Sequence, residues 1–202
     1  MKKLFTFVIC PIFIAVLLYL CINSIRRPLV FNKEVGAREK VGIDRLKDIR
    51  ALQNAYKTKY NAFAGEIDTL IKFYHEDSII VVKQVGSMDD SLAVAQGLVY
   101  RENQTFAVKD TLFRNKGEFN IDSLRYIPFS GKTPIIMKSV VKRVSGVQVP
   151  LFEAQMPYDD LLQGLERQLI VNLKFEKTSL NRYPGLMVGS ISAPNNNAGN
   201  WE

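Results

Sequence analysis

One histidine, two cysteines and a scatter of carboxylates are the groups in this chain of 202 residues whose types suit chemistry, and their spacing restricts what they can do. His75 stands beside Glu76 and Asp77. A general base oriented by a carboxylate needs the two groups to face each other, and adjacent residues on a helix do not. A histidine near a helix C-terminus is favoured by the helix dipole, so the position reads as an exposed cap. Cys10 and Cys21 both fall inside an apolar segment, which leaves the rest of the chain without a thiol. Thiol catalysis, disulfides and thiolate metal sites are thereby removed from it, together with the usual clue to compartment.

Zinc would then depend on one histidine and carboxylates alone. Asp89–Asp90 and Asp159–Asp160 could touch calcium, but neither pair sits in a loop with ligands at alternate positions and a glycine turn. Followed by Ser91-Leu92 and Leu161-Leu162, they read as turn or helix N-terminal residues. The patterns GxGxxG, GxxxxGK[ST] and GxSxG are absent, so no cofactor is indicated. A serine triad would have to use His75, and a pair of carboxylates for glycoside hydrolysis is not visible in spacing because such groups meet only in the fold. The expectation is a protein that is not an enzyme.

The formal charge of +7 is concentrated at one end. Lys2, Lys3, Arg26 and Arg27 flank the run Leu4–Ile22, and setting those four aside leaves 23 basic against 20 acidic residues, +3. Bases in that position anchor a helix among lipid headgroups, and no basic stripe with interleaved aromatics follows, so no nucleic acid is expected as a partner. The run itself, LFTFVICPIFIAVLLYLCI, carries no charge. At a rise of about 1.5 Å per residue it covers roughly 28 Å, the thickness of bilayer hydrocarbon.

A cleavable signal peptide also opens with lysines and an apolar run. This run is longer than the usual core and no small-x-small site follows it, while Ile9 and Leu20 precede the cysteines where a lipoprotein signal needs a small residue. The reading is a retained anchor over residues 1–27. Arg26, Arg27, Lys33, Arg38, Lys40 and Arg45 after the span outnumber Lys2 and Lys3 before it, which by the positive-inside rule leaves the domain in the cytoplasm. Large domains translocate largely regardless of charge, and a short amino-terminal tail is hard to send across first, so an outside, periplasmic domain is preferred.

These residues must be held by something, and the pattern says what. Arg27–Pro28 is expected to break the helix or force an extended residue. From about Glu34 to Tyr60, Ile43, Leu46, Ile49, Leu52, Ala55, Tyr56 and Tyr60 recur at steps of three and four, one apolar stripe of a helix whose other face carries Arg45, Lys47, Asp48, Arg50, Asn54 and Lys57. Residues 28–63 therefore read as a helical stalk, either lying on its own domain or packing a partner's helix, with Ile49, Leu52 and Tyr56 as interaction candidates. A second helix is expected from Glu66 to Tyr74.

β-Branched runs at Ser78–Gly86, Ile135–Val141 and Val147–Phe152, with a turn at Ser145–Gly146, predict strands, and Gln104–Val108 alternates in part. Gln168–Glu176, alternating Leu169, Val171, Leu173 and Phe175 with polar residues except at Ile170, reads as the clearest strand. Helices first and strands after predict an α+β domain over residues 28–191, a long amphipathic helix on an antiparallel sheet. Residues 192–202, SAPNNNAGNWE, read either as a flexible tail or as an end whose Trp201 and carboxylate dock into this domain or a partner.

The segment Asp44–Phe73 resembles the stretch that follows the membrane helix in type IV pilins and type II secretion pseudopilins, on Ile49, Arg50, Gln53, Ala55, Tyr56, Tyr60, Phe63, Asp68 and Leu70. No glycine precedes Leu4 and no acidic residue precedes Glu34, so the prepilin cleavage pattern is missing and the resemblance implies only the layout: membrane helix, stalk and sheet. With LRYIPFSG, LFEA, RYPGL and NNNAGNWE, the chain is also similar to a family of bacterial membrane-anchored proteins, which implies an envelope location and nothing finer. The functional expectation is a structural or assembly subunit in the bacterial inner membrane, with the lipid bilayer and other envelope proteins as partners. The alternative is an anchored binding module for a small ligand, peptide or glycan, for which Tyr126, Phe129, Phe152, Tyr158 and Tyr183 offer aromatic walls.

Overall fold

A computed structural model describes residues 10–85, 100–114, 116–117 and 119–202. The chain is α+β, one long helix with two small antiparallel sheets. Helix α1 runs Cys10–Tyr60. A short turn leads to α2, Ile67–Glu76, and a hairpin of β1, Ser78–Val85, with β2, Tyr100–Ala107, follows. After α3, Val108–Thr111, and a 3-10 turn at Ile121–Arg125, the main sheet begins with β3, Ile136–Val144, and β4, Val147–Pro157. Then come α4, Tyr158–Leu161, α5, Arg167–Ser179, and β5, Gly185–Gly189, giving the strand order β3-β4-β5.

The β3–β4 connection is the two-residue turn expected from Ser145–Gly146. Both residues have positive φ, 50° and 86°, the twist that suits tightly joined antiparallel strands. Along β4 the buried Phe152, Ala154 and Met156 alternate with half-buried Glu153 and Gln155, so one face packs. Against it lies the stripe of α1: Leu46, Ile49 and Leu52 are fully buried, together with Leu70 and Phe73 of α2 and Val188 of β5. Gly42 is buried against the sheet. A Cβ there would lie 2.7 Å from the tip of Leu186 on β5, so any larger residue makes that side chain shift.

Two local expectations are corrected. Pro28 does not interrupt α1, which continues through it. The ring removes the bond to the carbonyl of Ser24, but that residue is exposed, so water can satisfy the freed acceptor. Residues 168–176 form a helix, α5, in place of the expected strand. Ile170, which broke the alternation, is its buried residue, with half-buried Leu169 and Leu173 beside it at helical spacing. Val171 and Phe175, read as strand core, are 48% and 73% exposed. The alternation was a by-product of a helix with apolar residues on two faces, and Leu, Gln, Lys and Glu favour the helix.

Among the described residues, α1 is the one helix long and apolar enough to cross a membrane, with an 18-residue window of mean hydropathy 1.6, none of it buried. It enters the core at Phe31. One helix is thus free over its first part and core over its second.

Candidate functional site

The cleft with the most concentrated chemistry opens where four elements meet, and it has a volume of about 630 Å³. Helix α1 contributes Glu39 and Ile43, the start of α4 contributes Tyr158, and the chain leaving α5 contributes Lys177, Asn181, Arg182 and Tyr183. Leu186 and Met187 of β5 form the floor, and Asn200, Trp201 and Glu202 form the remaining wall.

Local rules place each group. Asn181 has φ 53°, and Arg182 donates its N–H to the carbonyl of Lys177 at 2.9 Å, a left-handed closure of α5 that turns Arg182 and Tyr183 back over the sheet. The polar run before Trp201 is turn chemistry. Asn196 and Asn197 have φ 55° and 57°, a region asparagine tolerates, and the Asn195 side chain accepts from the backbone N–H of Asn197 at 3.1 Å.

Residues 192–202, expected either loose or docked, are folded onto this domain. Gly199 bridges to Val188, the Gly189 N–H donates to the Ala198 carbonyl at 3.0 Å, and Asn200 donates to the carbonyls of Met187 and Gly185 while accepting from Met187 N–H. Gly189 accepts this neighbour because its φ of 72° and a Cβ position 2.3 Å from the Phe152 carbonyl oxygen suit only glycine. On the other side the end clasps α1. Arg50 donates to Glu202 at 2.7 Å and to the Asn197 carbonyl at 3.2 Å, and Asn197 donates to Asn54 at 3.0 Å. Trp201 lies across Gly199, where any Cβ would fall 2.3 Å from its ring.

The cleft holds charges of both signs. Glu39 accepts a hydrogen bond from the Tyr158 hydroxyl at 2.5 Å, and burial first, then this carboxylate, push that hydroxyl well above its ordinary range. Glu202 is engaged by Arg50, which holds its carboxyl below the usual 4.5. Tyr183 is pushed up to about 12 by burial and then by Glu153, Asp160 and Asp159, so it stays a neutral hydroxyl donor at physiological pH. Lys177 and Arg182 form no ion pair among the described residues. Glu202 is thus ion-paired, whereas Glu39 is hydrogen-bonded to a neutral phenol and keeps its charge.

The other residues singled out by sequence are dispersed. Ile49 and Leu52 are fully buried in their own core, which removes them as partner contacts: the stripe packs its own sheet. Tyr56 is half-buried, its ring 4.6 Å from Tyr60 and 5.3 Å from Phe73. Arg26 and Arg27 lie on the exposed part of α1, while Lys2 and Lys3 lie outside the described residues, as do Asp89 and Asp90. His75 is exposed in the last turn of α2, with the Tyr74 ring at 5.3 Å. Asp159 and Asp160 open α4, and Asp159 is ion-paired with Lys174. No group of three or more His, Cys, Asp or Glu capable of holding a metal occurs among the described residues. Sequence reading missed Lys177 and Arg182, which follow the segment taken for a strand, and Glu39, which meets Tyr158 only across the fold. The signal that could have found them is RYPGL followed by NWE, two segments that line the same cleft.

Asp48, placed on the wet face of the stripe, is buried and ion-paired with Lys116. Burial raises its carboxyl above the ordinary 3.8 despite that lysine. A raised folded pKa contributes stability that is present below the unfolded value and lost as pH rises through the folded one, so at neutral pH the ionised group is a cost. Asp48→Asn is expected to melt no lower than the parent at pH 7, and its advantage is expected to disappear below about pH 4. Thermal unfolding at both pH values checks this, and a lower melting point at pH 7 contradicts it.

No protein-family model, curated protein or solved structure matches the chain.

Proposed function

We propose that this is a single-pass membrane protein of the bacterial envelope, anchored in the inner membrane with its domain on the periplasmic side, and that it serves as a non-enzymatic structural or assembly subunit. The observation that carries this reading is the double character of α1. Its window of mean hydropathy 1.6 is wholly exposed, an arrangement that costs free energy in water and none in lipid. The same helix then becomes the spine of the core from Phe31 onward. If Ile22 marks the edge of the hydrocarbon, Phe31 stands about 13 Å beyond it, just outside the headgroups, and Asn23, Arg26 and Arg27 fall in the headgroup layer. An anchor that is also a core helix holds its domain at a fixed height, which suits a subunit fitted beside other membrane proteins. The layout of one helix, half free and half on an antiparallel sheet, is the one the pilin resemblance implies, and it supports the assembly role.

The test is location and company. The full chain is expected to stay in the membrane pellet after alkaline carbonate washing, and external protease is expected to digest the domain in spheroplasts. Crosslinking is expected to capture specific membrane partners. Release by carbonate sinks the anchor, a protease-resistant domain sinks the periplasmic placement, and absence of any crosslinked partner sinks the assembly role.

A further inference from the structure

We propose that the cleft between α1, α5 and the C-terminal turn is a binding site for an acidic saccharide, a sugar unit or short oligosaccharide bearing a carboxylate. Its volume of about 630 Å³ is that of a small-ligand site. Its free polar groups are rich in donors: the Lys177 ammonium and the Arg182 guanidinium donate only, the Asn181 amide and the Tyr183 hydroxyl can donate as well as accept, and none has a side-chain partner among the described residues. Of its carboxylates, Glu202 is ion-paired with Arg50, and Glu39 accepts from the Tyr158 hydroxyl and keeps its charge, one negative group against Lys177 and Arg182. A cleft with spare donors and spare positive charge selects an anionic ligand rich in oxygen. Trp201 and Tyr183, both half-buried, add aromatic surface. Rings beside directional donors suit a sugar, whose C–H face packs on an aromatic while its hydroxyls and carboxylate take the donors.

The cleft is out of reach of lipid. Glu39 lies 17 residues beyond Ile22 on one helix, about 25 Å past the apolar run, whereas headgroups extend less than about 10 Å. This exclusion alone rests on the anchor reading. A chain that fails to enter membranes and still binds leaves the saccharide inference standing.

Trp201 is the only tryptophan in the chain and lines the cleft, so its emission reports occupancy without a label. The full chain, held in a detergent without a sugar headgroup, is titrated with trigalacturonate, with neutral galactotriose and with inorganic phosphate, and each titration is repeated by calorimetry. Saturable binding of trigalacturonate is expected, weakened by salt, with neither of the others matching it. The variant carrying Lys177→Gln and Arg182→Gln is expected to lose at least about tenfold in affinity with its melting temperature unchanged. Arg182 is exposed and Lys177 half-buried, so the melting temperature measured alongside separates lost binding from lost folding. Equal binding of galactotriose overturns the role of the charge. Equal saturation by phosphate reduces the cleft to a plain anion patch and overturns the sugar. Flat emission with a flat calorimetric titration overturns the site altogether.

Discussion

Replacing Gln53 with leucine is expected to cost about 3 kcal/mol and to lower the melting temperature by roughly 6–12 °C, a large effect for a side chain of similar volume. Gln53 is fully buried in the middle of the α1 stripe. Its Nε2 donates to the carbonyl of Ala64 at 2.8 Å and its Oε1 accepts the Ala64 N–H at 3.0 Å, so one amide satisfies both backbone groups of a buried residue eleven positions on. That pair fixes the turn by which the chain leaves α1 and starts α2. Leucine fills the space and leaves a donor and an acceptor orphaned where no water replaces them. Glutamate keeps the acceptor, loses the donor and brings a buried charge, so it is expected to rescue nothing. The control is Thr58→Ala on the same helix, exposed and expected to change stability by less than about 0.5 kcal/mol. Equal melting of Gln53→Leu and the parent would show that the turn is held by packing alone.

Removing the last six residues, Asn197–Glu202, is expected to be comparably severe, about 3–6 kcal/mol at roughly 1 kcal/mol per hydrogen bond lost. The segment supplies both partners of the edge of β5 and the carboxylate gripped by Arg50, and its loss also uncovers the floor of the cleft at Leu186 and Met187. Calorimetric unfolding measures it, since the tryptophan is gone. An unchanged transition would mean that the last residues lie on the domain without contributing to it. A milder perturbation reads the same clasp: Glu202 has a depressed pKa, so its contribution is present above about 4.5 and is lost as pH falls through the folded value. Trp201 emission is therefore expected to shift on acidification before the domain unfolds.

What could be read from sequence was whatever repeats over several turns. Leu46, Ile49 and Leu52 announce a packed helix by spacing alone, and the β-branched runs around Ser145–Gly146 announce a hairpin, because burial on one face imposes a period. Pro28 was misjudged because the cost of a proline depends on whether the freed carbonyl meets water, which spacing does not reveal. Helix α5 was misjudged because four apolar residues at alternate positions satisfy two templates, and only the burial of Ile170 with Leu169 and Leu173 chooses between them. The cleft was illegible for a different reason. Glu39 and Tyr158, or Arg50 and Glu202, meet across more than a hundred residues, and no local pattern encodes such a meeting. The asparagine run misled in the opposite direction, since the composition of a loose tail is also that of an ordered turn with two consecutive left-handed residues, Asn196 and Asn197.

Because the apolar stretch and the spine of the domain belong to a single helix, α1 is mechanically a lever. From Ile22 to Tyr60 its arm is about 57 Å long. A change of tilt of about 20°, ordinary for a helix in a bilayer, sweeps the far end sideways by roughly 20 Å and carries sheet, cleft and clasp with it as one body. The arm has one compliant joint, the turn at Pro28, where a backbone hydrogen bond is missing just below the first core contact at Phe31. Bilayer thickness or a neighbour pushing on the apolar half would be transmitted as displacement at the other end, and the stiffness of that single turn sets how much of it arrives.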